Sequence, residues 1–439
     1  TINLAVGYAE SGDTIKIAKG DHSLGYPIEV GLTKNLTFEG GYDTVDNFAS
    51  LGLGVRGSRM TRLIAPAGNY VFSFATVGNA SVVRNFVLQG NGSSVVYDGA
   101  ATNVTIEGNV VVPKGGDYGI SLSGSAGASV RNNIVLETGL GIYLGTGSTA
   151  TNNTVVNANS YGLYGGTRTN NIAYAGGSFG LYSCAVGQAT YNLVFRNPTD
   201  YHTNCNGTGS VTSAPRFLNL TAPGSFIKNA NAVSTGLTAT VLTDSTATWT
   251  VDQWKGYFVT PDITRSQPRY FLIISNTATT LTVVSYYVLT SYGAVGRPYG
   301  ITDFTFGTNA PGATAGNGAS TPDIYGNART ATTVGAVAAQ GTSLTSPATY
   351  YIATTGTDAF GGAANSCDLA TAPCRTINLA VGYAESGDTI KIAKGDHSLG
   401  YPIEVGLTKN LTFEGGYDTV DNFASLGLGV RGSRMTRLI

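Results

Sequence analysis

Between residues 79 and 200 the chain repeats a short pattern about every twenty residues. Aligning "VVRNFVL", "TIEGNVVV", "SVRNNIVL", "ATNNTVV", "RTNNIAY" and "ATYNLVF" brings one asparagine into register each time: Asn85, Asn109, Asn133, Asn153, Asn171 and Asn192. A strand-forming run follows each asparagine. A second block recurs as "YGISL", "LGIYL", "YGLYG" and "FGLYS", with Gly119, Gly141, Gly162 and Gly180 in register. Coils of roughly 18–24 residues carrying several short strands are turns of a right-handed parallel β-helix, stacked at the strand spacing of about 4.8 Å. Asparagine suits the corners, because it tolerates unusual backbone angles and its amide can hydrogen-bond from coil to coil.

Side-chain alternation assigns the faces. Tyr118, Leu140, Tyr161 and Phe179 share parity with Ile120, Ile142, Leu163 and Leu181, so both sets are expected inside. The opposite parity places Tyr143, Tyr164 and Tyr182 outside, followed by Cys184, as a candidate surface contact. Glu107 and Arg131 fall on neighbouring coils and are expected to pair. About nine coils fit between Asp13 and Thr212, a rod on the order of 40 Å long. Ahead of them, Ile2, Ala5, Val6 and Ala9 follow helical spacing up to Ser11-Gly12, which predicts a short amphipathic helix covering the first coil.

A longer repeat overlies the short one. Residues 1–64 and 376–439 are identical, a period of 375. The expectation is a stretch of a longer array of near-identical units, the alternative being a very recent duplication. Each period carries equal numbers of basic and acidic side chains, and charged residues make up 12% of the chain. Neutrality argues against nucleic acid, which needs clustered Lys and Arg, and against an anionic membrane surface. No run approaches the length of a membrane helix.

Cys184, Cys205, Cys367 and Cys374 form two local pairs with no C-x-x-C spacing. They read as the disulfides Cys184–Cys205 and Cys367–Cys374 in an oxidising compartment, the alternative being four buried thiols. Between about Leu220 and Gly300, "GLTATVLTDSTATWTVDQWKGYFVTP" and "YFLIISNTATTLTVVSYY" alternate as β-strands with Trp249 and Trp254, which predicts an inserted small β-barrel or sandwich. The expected layout is a cap helix and β-helix over 1–219, the insert over 220–300, a closing segment and linker over 301–345, and the next repeat's cap and first coils over 346–439.

Several segments resemble the secreted bacterial pectate-lyase-like β-helix proteins. "YYIATTGTDAFGGAANSCDLATAPCRTINLAVGYAESGDTIKIAKGDH" (350–397) is similar to that family's N-terminal cap. "SAPRFLN" (213–219), "ITDFTFGTNAPGATAGNG" (301–318), "DIYGNAR" (323–329) and "VGAVAAQ" (334–340) resemble its closing run, here split by the insert. The resemblance implies the fold and, in enzymes of the group, polysaccharide cleavage by acidic residues gathered on neighbouring coils, with calcium and an Arg or Lys base in the lyases. Asp98, Glu107, Asp117 and Glu137 do not align with one another, so no family catalytic residue carries over, and no cofactor or metal is expected.

His22 (repeated as His397) and His202 are too far apart in sequence to suggest a metal site. Triplets of the form N-x-S/T, including those at Asn79, Asn152 and Asn219, are expected from an Asn- and Thr-rich composition, and no glycan is assigned to them. The expected function is a non-catalytic structural repeat of an extracellular filament or cell-surface fibre, its partner the neighbouring repeat. The alternatives are a glycan-binding adhesin or phage-type fibre gripping through the tyrosines, and a polysaccharide lyase or hydrolase.

Overall fold

A computed structural model of the chain describes all residues except 31–33, 75–79, 92–93, 99–100, 114–117, 213–214, 219, 221–231, 264, 266–267, 309, 319–321, 340–348, 361–362, 365–366, 368, 385–387, 400–402, 404–410, 428–429 and 431. Asp117 and the Asn79 and Asn219 triplets lie outside the described residues.

Three parallel sheets of eight strands each form a right-handed parallel β-helix. The first sheet runs from Thr14–Ala18 to Ala189–Thr190, the second from Gly20–Ser23 to Leu193–Phe195, and the third from Ile28–Glu29 to Thr199–Tyr201. A parallel bridge from Leu193 to Val211 begins a ninth coil. The interior is filled by columns that the strand register lines up. One runs Phe38, Val83, Ile106, Val130 and Ala150, and another Ile120, Ile142, Leu163 and Leu181. All of these are fully buried.

The second sheet has two buried faces. Leu88, Val111, Val135, Val155 and Val194 point inward, while Val110, Val112, Ile134, Leu136, Val156, Tyr174 and Phe195 pack outward against other parts of the chain. Burial on both sides explains why its strands read "VVV", "IVL" and "LVF", continuous apolar runs without alternation. The outer layer consists of the insert and the closing segment. The insert is a six-stranded antiparallel sheet from Gly236–Leu237 to Gly300–Thr302, two residues beyond the expected boundary. Alternation divides its residues. Phe258 and Leu272 join the cluster on the β-helix, while Val259, Phe271 and Ile273 join the insert's own core with Trp254.

The helix Ile2–Tyr8 forms as expected, capped by the Thr1 side chain, which accepts a hydrogen bond from Leu4 N. Its identical copy is Ile377–Tyr383. No helix among the described residues is long and apolar enough to cross a membrane.

The aromatic residues before the recurring glycines depart from the expected parity. Ladder pairing runs Tyr118 to Leu140 and then Ile120 to Ile142, so the alternation breaks at the glycine. A Cβ on Gly141 would lie 2.4 Å from both Gly162 O and Val155 Cγ1, so that position points into the solenoid where only glycine fits. The preceding residue is turned outward. Tyr161 stacks on Tyr182 with ring centroids 4.4 Å apart, and Phe179 also meets Tyr182, at 5.0 Å. Leu140, although buried, lies outside the interior cluster.

Candidate functional site

Three features of the rod are built finely enough to carry function: the corner between the first two sheets, the outer face of the first sheet, and the outer face of the third.

At the corner, Asn109, Asn133, Asn153, Asn171 and Asn192 form a buried amide ladder. Asn133 Nδ2 donates to Asn153 Oδ1 at 3.0 Å, and Asn153 Nδ2 to Asn171 Oδ1 at 3.0 Å. From Asn133 onward each Oδ1 also accepts the backbone N–H of the previous asparagine. Asn85 does not belong to this ladder. Arg84 pairs with Glu107, so the ladder position on that coil is Phe86, whose N–H donates to Asn109 Oδ1. Asn85 instead falls in an adjacent column with Asn132, Asn152 and Asn170, all with φ between 55° and 65°, the left-handed conformation asparagine tolerates.

That second column was missed at the sequence level, although the doublets Asn132-Asn133, Asn152-Asn153 and Asn170-Asn171 mark it. Asn85 holds the early coils, donating to Gly40 O and Gly52 O, while the other three amides hold the closing segment. Asn132 donates to Pro322 O, Asn152 to Thr333 O, and Asn170 to Asn317 O while accepting from Asn317 N. Asn152 is only 2% exposed, so its N-x-T triplet is closed to modification in the folded chain.

The first sheet's outer face carries a charge column, Lys16, Glu39, Arg84, Glu107 and Arg131, alternating in sign on successive coils. Arg84 lies 2.7 Å from Glu39, and Arg131 lies 2.5 Å from Glu107. With loop 51–53 and the closing-segment residues 322–326, Glu39, Arg84, Glu107 and Arg131 of this column floor a cleft of about 590 Å³. Its carboxylates are all engaged. Glu39 also accepts from Tyr42 Oη at 2.5 Å. Asp323 accepts from the N–H groups of Tyr325, Asn327 and Ala338. Among the other acidic residues considered, Asp98 ends a third-sheet strand. Glu137 lies buried under the insert and accepts a hydrogen bond from Ser285 Oγ. Burial pushes the Glu137 carboxyl up to about 7, against the hydrogen bond from Ser285 and the charge of Arg269. Among the described side chains, Glu107 and Glu137 are both engaged and lie apart, one on the outer face of the first sheet and the other under the insert.

The third sheet presents an aromatic ribbon. Tyr143, Tyr164 and Tyr182 stand on consecutive coils, with centroids 4.6 Å and 5.5 Å apart, and all are half-buried. The outward-turned Tyr118, Tyr161 and Phe179 join them, and His202 closes the row 4.2 Å from Tyr182. The Cys184–Cys205 disulfide sits at the same end, and Cys367–Cys374 is also formed. Two disulfides accord with an oxidising, secreted setting.

One buried cation had no expected role. Arg168 lies on the ladder between Ala150 and Ala189 and is completely buried. It donates to the carbonyls of Tyr182 at 2.7 Å, Ser183 at 3.0 Å and Leu163 at 3.3 Å, closing a corner of the solenoid, and burial lowers its pKa to about 10.

Donors for a metal are dispersed. His22 Nε2 hydrogen-bonds Ala18 O, Met60 is buried, and every cysteine is oxidised. Among the described residues no three His, Cys, Asp or Glu side chains gather as a metal site requires.

Residues 8–213, the β-helix itself, match the family model described as periplasmic copper-binding protein (NosD), so this part of the chain is similar to that family. Comparison with curated proteins finds no match, and neither does comparison with solved structures.

Proposed function

We propose that the chain is a structural, non-catalytic repeat of an extracellular filament or cell-surface fibre. The observation that carries this reading is the 64-residue identity. The same sequence folds twice as a cap helix and opening coils, and the second copy follows the first after one period of 375 residues. The engaged carboxylates of the cleft support the non-catalytic part, because a lyase or hydrolase needs an acid or base free to meet substrate. Two disulfides and a rod closed by main-chain ladders suit an exposed mechanical element. Electron microscopy of native material is expected to show rods with a regular axial repeat; dispersed globular particles would overturn the reading.

Copper binding, which the matching family's description names, is not assigned here. Copper takes imidazole, thiolate or thioether donors held together, and among the described residues no three His, Cys, Asp or Glu side chains gather, while every cysteine is in a disulfide.

The aromatic ribbon favours a second reading, a glycan-gripping adhesin or phage-type fibre, since half-exposed rings offer apolar faces to sugars. On a glycan array, Tyr164→Ala would then abolish binding; unchanged binding would end that reading.

A further inference from the structure

The two identical segments sit in different surroundings, so each residue of the cap acts as its own control. In the first copy Ala5 and Asp13 are exposed, and Ile2, Ala9 and Ile15 are only partly covered. In the second copy their equivalents Ala380, Asp388, Ile377, Ala384 and Ile390 are 0–2% exposed. Sequence is constant, so the difference measures what lies against the cap.

Two parts of the chain cover it. The strand Thr349–Ile352, which opens the second unit, pairs in parallel with Thr389–Ala393. The end of the first unit meets the same cap. Arg216 Nη2 lies 2.6 Å from Asp388 Oδ1, with their side chains 12% and 0% exposed. Moreover Ile352, Ile377, Ala380 and Ile390 belong to one apolar cluster with Phe217, Phe304 and the outer residues of the second sheet. The junction is therefore a packed interface, built around a buried ion pair.

We infer that the surface formed by Ile2, Ala5, Asp13 and Ile15 is the docking site for a preceding copy of the unit, whose terminal coil brings Arg216 onto Asp13 as Arg216 lies on Asp388. This rests on the tandem-repeat reading and names the surface and the partner. Asp13 in the first copy accepts a hydrogen bond from Glu10 N and makes no ion pair among the described residues. Its carboxylate is the one that a preceding Arg216 would engage. Breaking such a pair leaves an uncompensated buried charge, so the lock discriminates strongly against a wrong residue.

Small-angle X-ray scattering of the 439-residue chain tests this. Arg216→Glu is expected to raise the radius of gyration and to end the fit to one rigid body, and Arg216→Glu with Asp388→Arg to restore both. Asp13→Arg should leave the profile unchanged, because in this chain no preceding Arg216 reaches it. Should Arg216→Glu lose its β-sheet circular dichroism, Asp388→Asn takes its place and is expected to produce the same expansion. An unchanged profile for folded Arg216→Glu or Asp388→Asn, or equal effects at Asp13 and Asp388, overturns the lock. A rigid junction in material without rods would overturn the filament reading alone; a hinged junction in material that forms rods would overturn the lock alone.

Discussion

At the residue scale, the corner asparagines carry more than their size suggests. Asn153 Nδ2 donates to Val130 O, Thr151 O and Asn171 Oδ1, and its Oδ1 receives both the N–H and the side-chain amide of Asn133. Removing it strands buried groups on three successive coils. Since each unsatisfied buried group costs about 1–3 kcal/mol, Asn153→Ala is expected to lower stability by roughly 3 kcal/mol or more, read as a drop in the urea midpoint. Asn159→Ala, at the end of a half-exposed turn, should cost less. The ladder was legible because its residues recur with the coil. Asn85 was misassigned by one position, since the step to the next coil is 23 residues along the register rather than 24. Nothing in the letters "VVRNF" marks that a phenylalanine stands in the asparagine's place.

At the scale of elements, the parity error before the glycines has a single cause. Alternation holds only while every residue enters the ladder, and the ladder skips each glycine, a position kept as glycine because backbone from the next coil lies within 3 Å of where a Cβ would be. The placement of the closing segment was illegible for a different reason. Arg329 Nη2 donates to Asn132 Oδ1 across 197 residues, and no local pattern encodes so distant a contact. The insert's seat on the rod contains a titrating group. Glu137 has a folded pKa raised to about 7 from 4.5. The folded state therefore holds the proton more tightly than the unfolded chain. Stability from this site is full below about pH 4.5, is lost as the pH rises to about 7, and then levels off. The ceiling is about 3 kcal/mol. Glu137→Gln is expected to flatten this slope and to raise the melting temperature at pH 8 relative to the parent; a parallel pH profile would count against it.

At the scale of the whole molecule, one rod face is sealed by the insert and closing segment, while the charge column and the aromatic ribbon remain on the surface. Eight coils, the bridge to Val211 and the added strand Thr349–Ile352 amount to about ten layers per unit. At about 4.8 Å per layer, units stacked end to end would repeat every ~50 Å. That is the spacing expected by electron microscopy, and a repeat several times longer would mean that the units do not stack directly.

The identity of the two caps has a kinetic side. In the proposed array any cap would fit any terminal coil, so the pairing would be degenerate and neighbouring units would compete for the same seat during folding. Proximity resolves the competition. Fewer than 140 residues separate Arg216 from the strand Thr349–Ile352, so the tethered cap reaches its seat within the same chain and a cap from another chain must compete with that intramolecular encounter. The terminal coil also leaves the ribosome first and waits for the next cap to emerge. Concentrated refolding of full-length chains removes that order of arrival, and it is there that exchanged, cross-linked assemblies become the competing product.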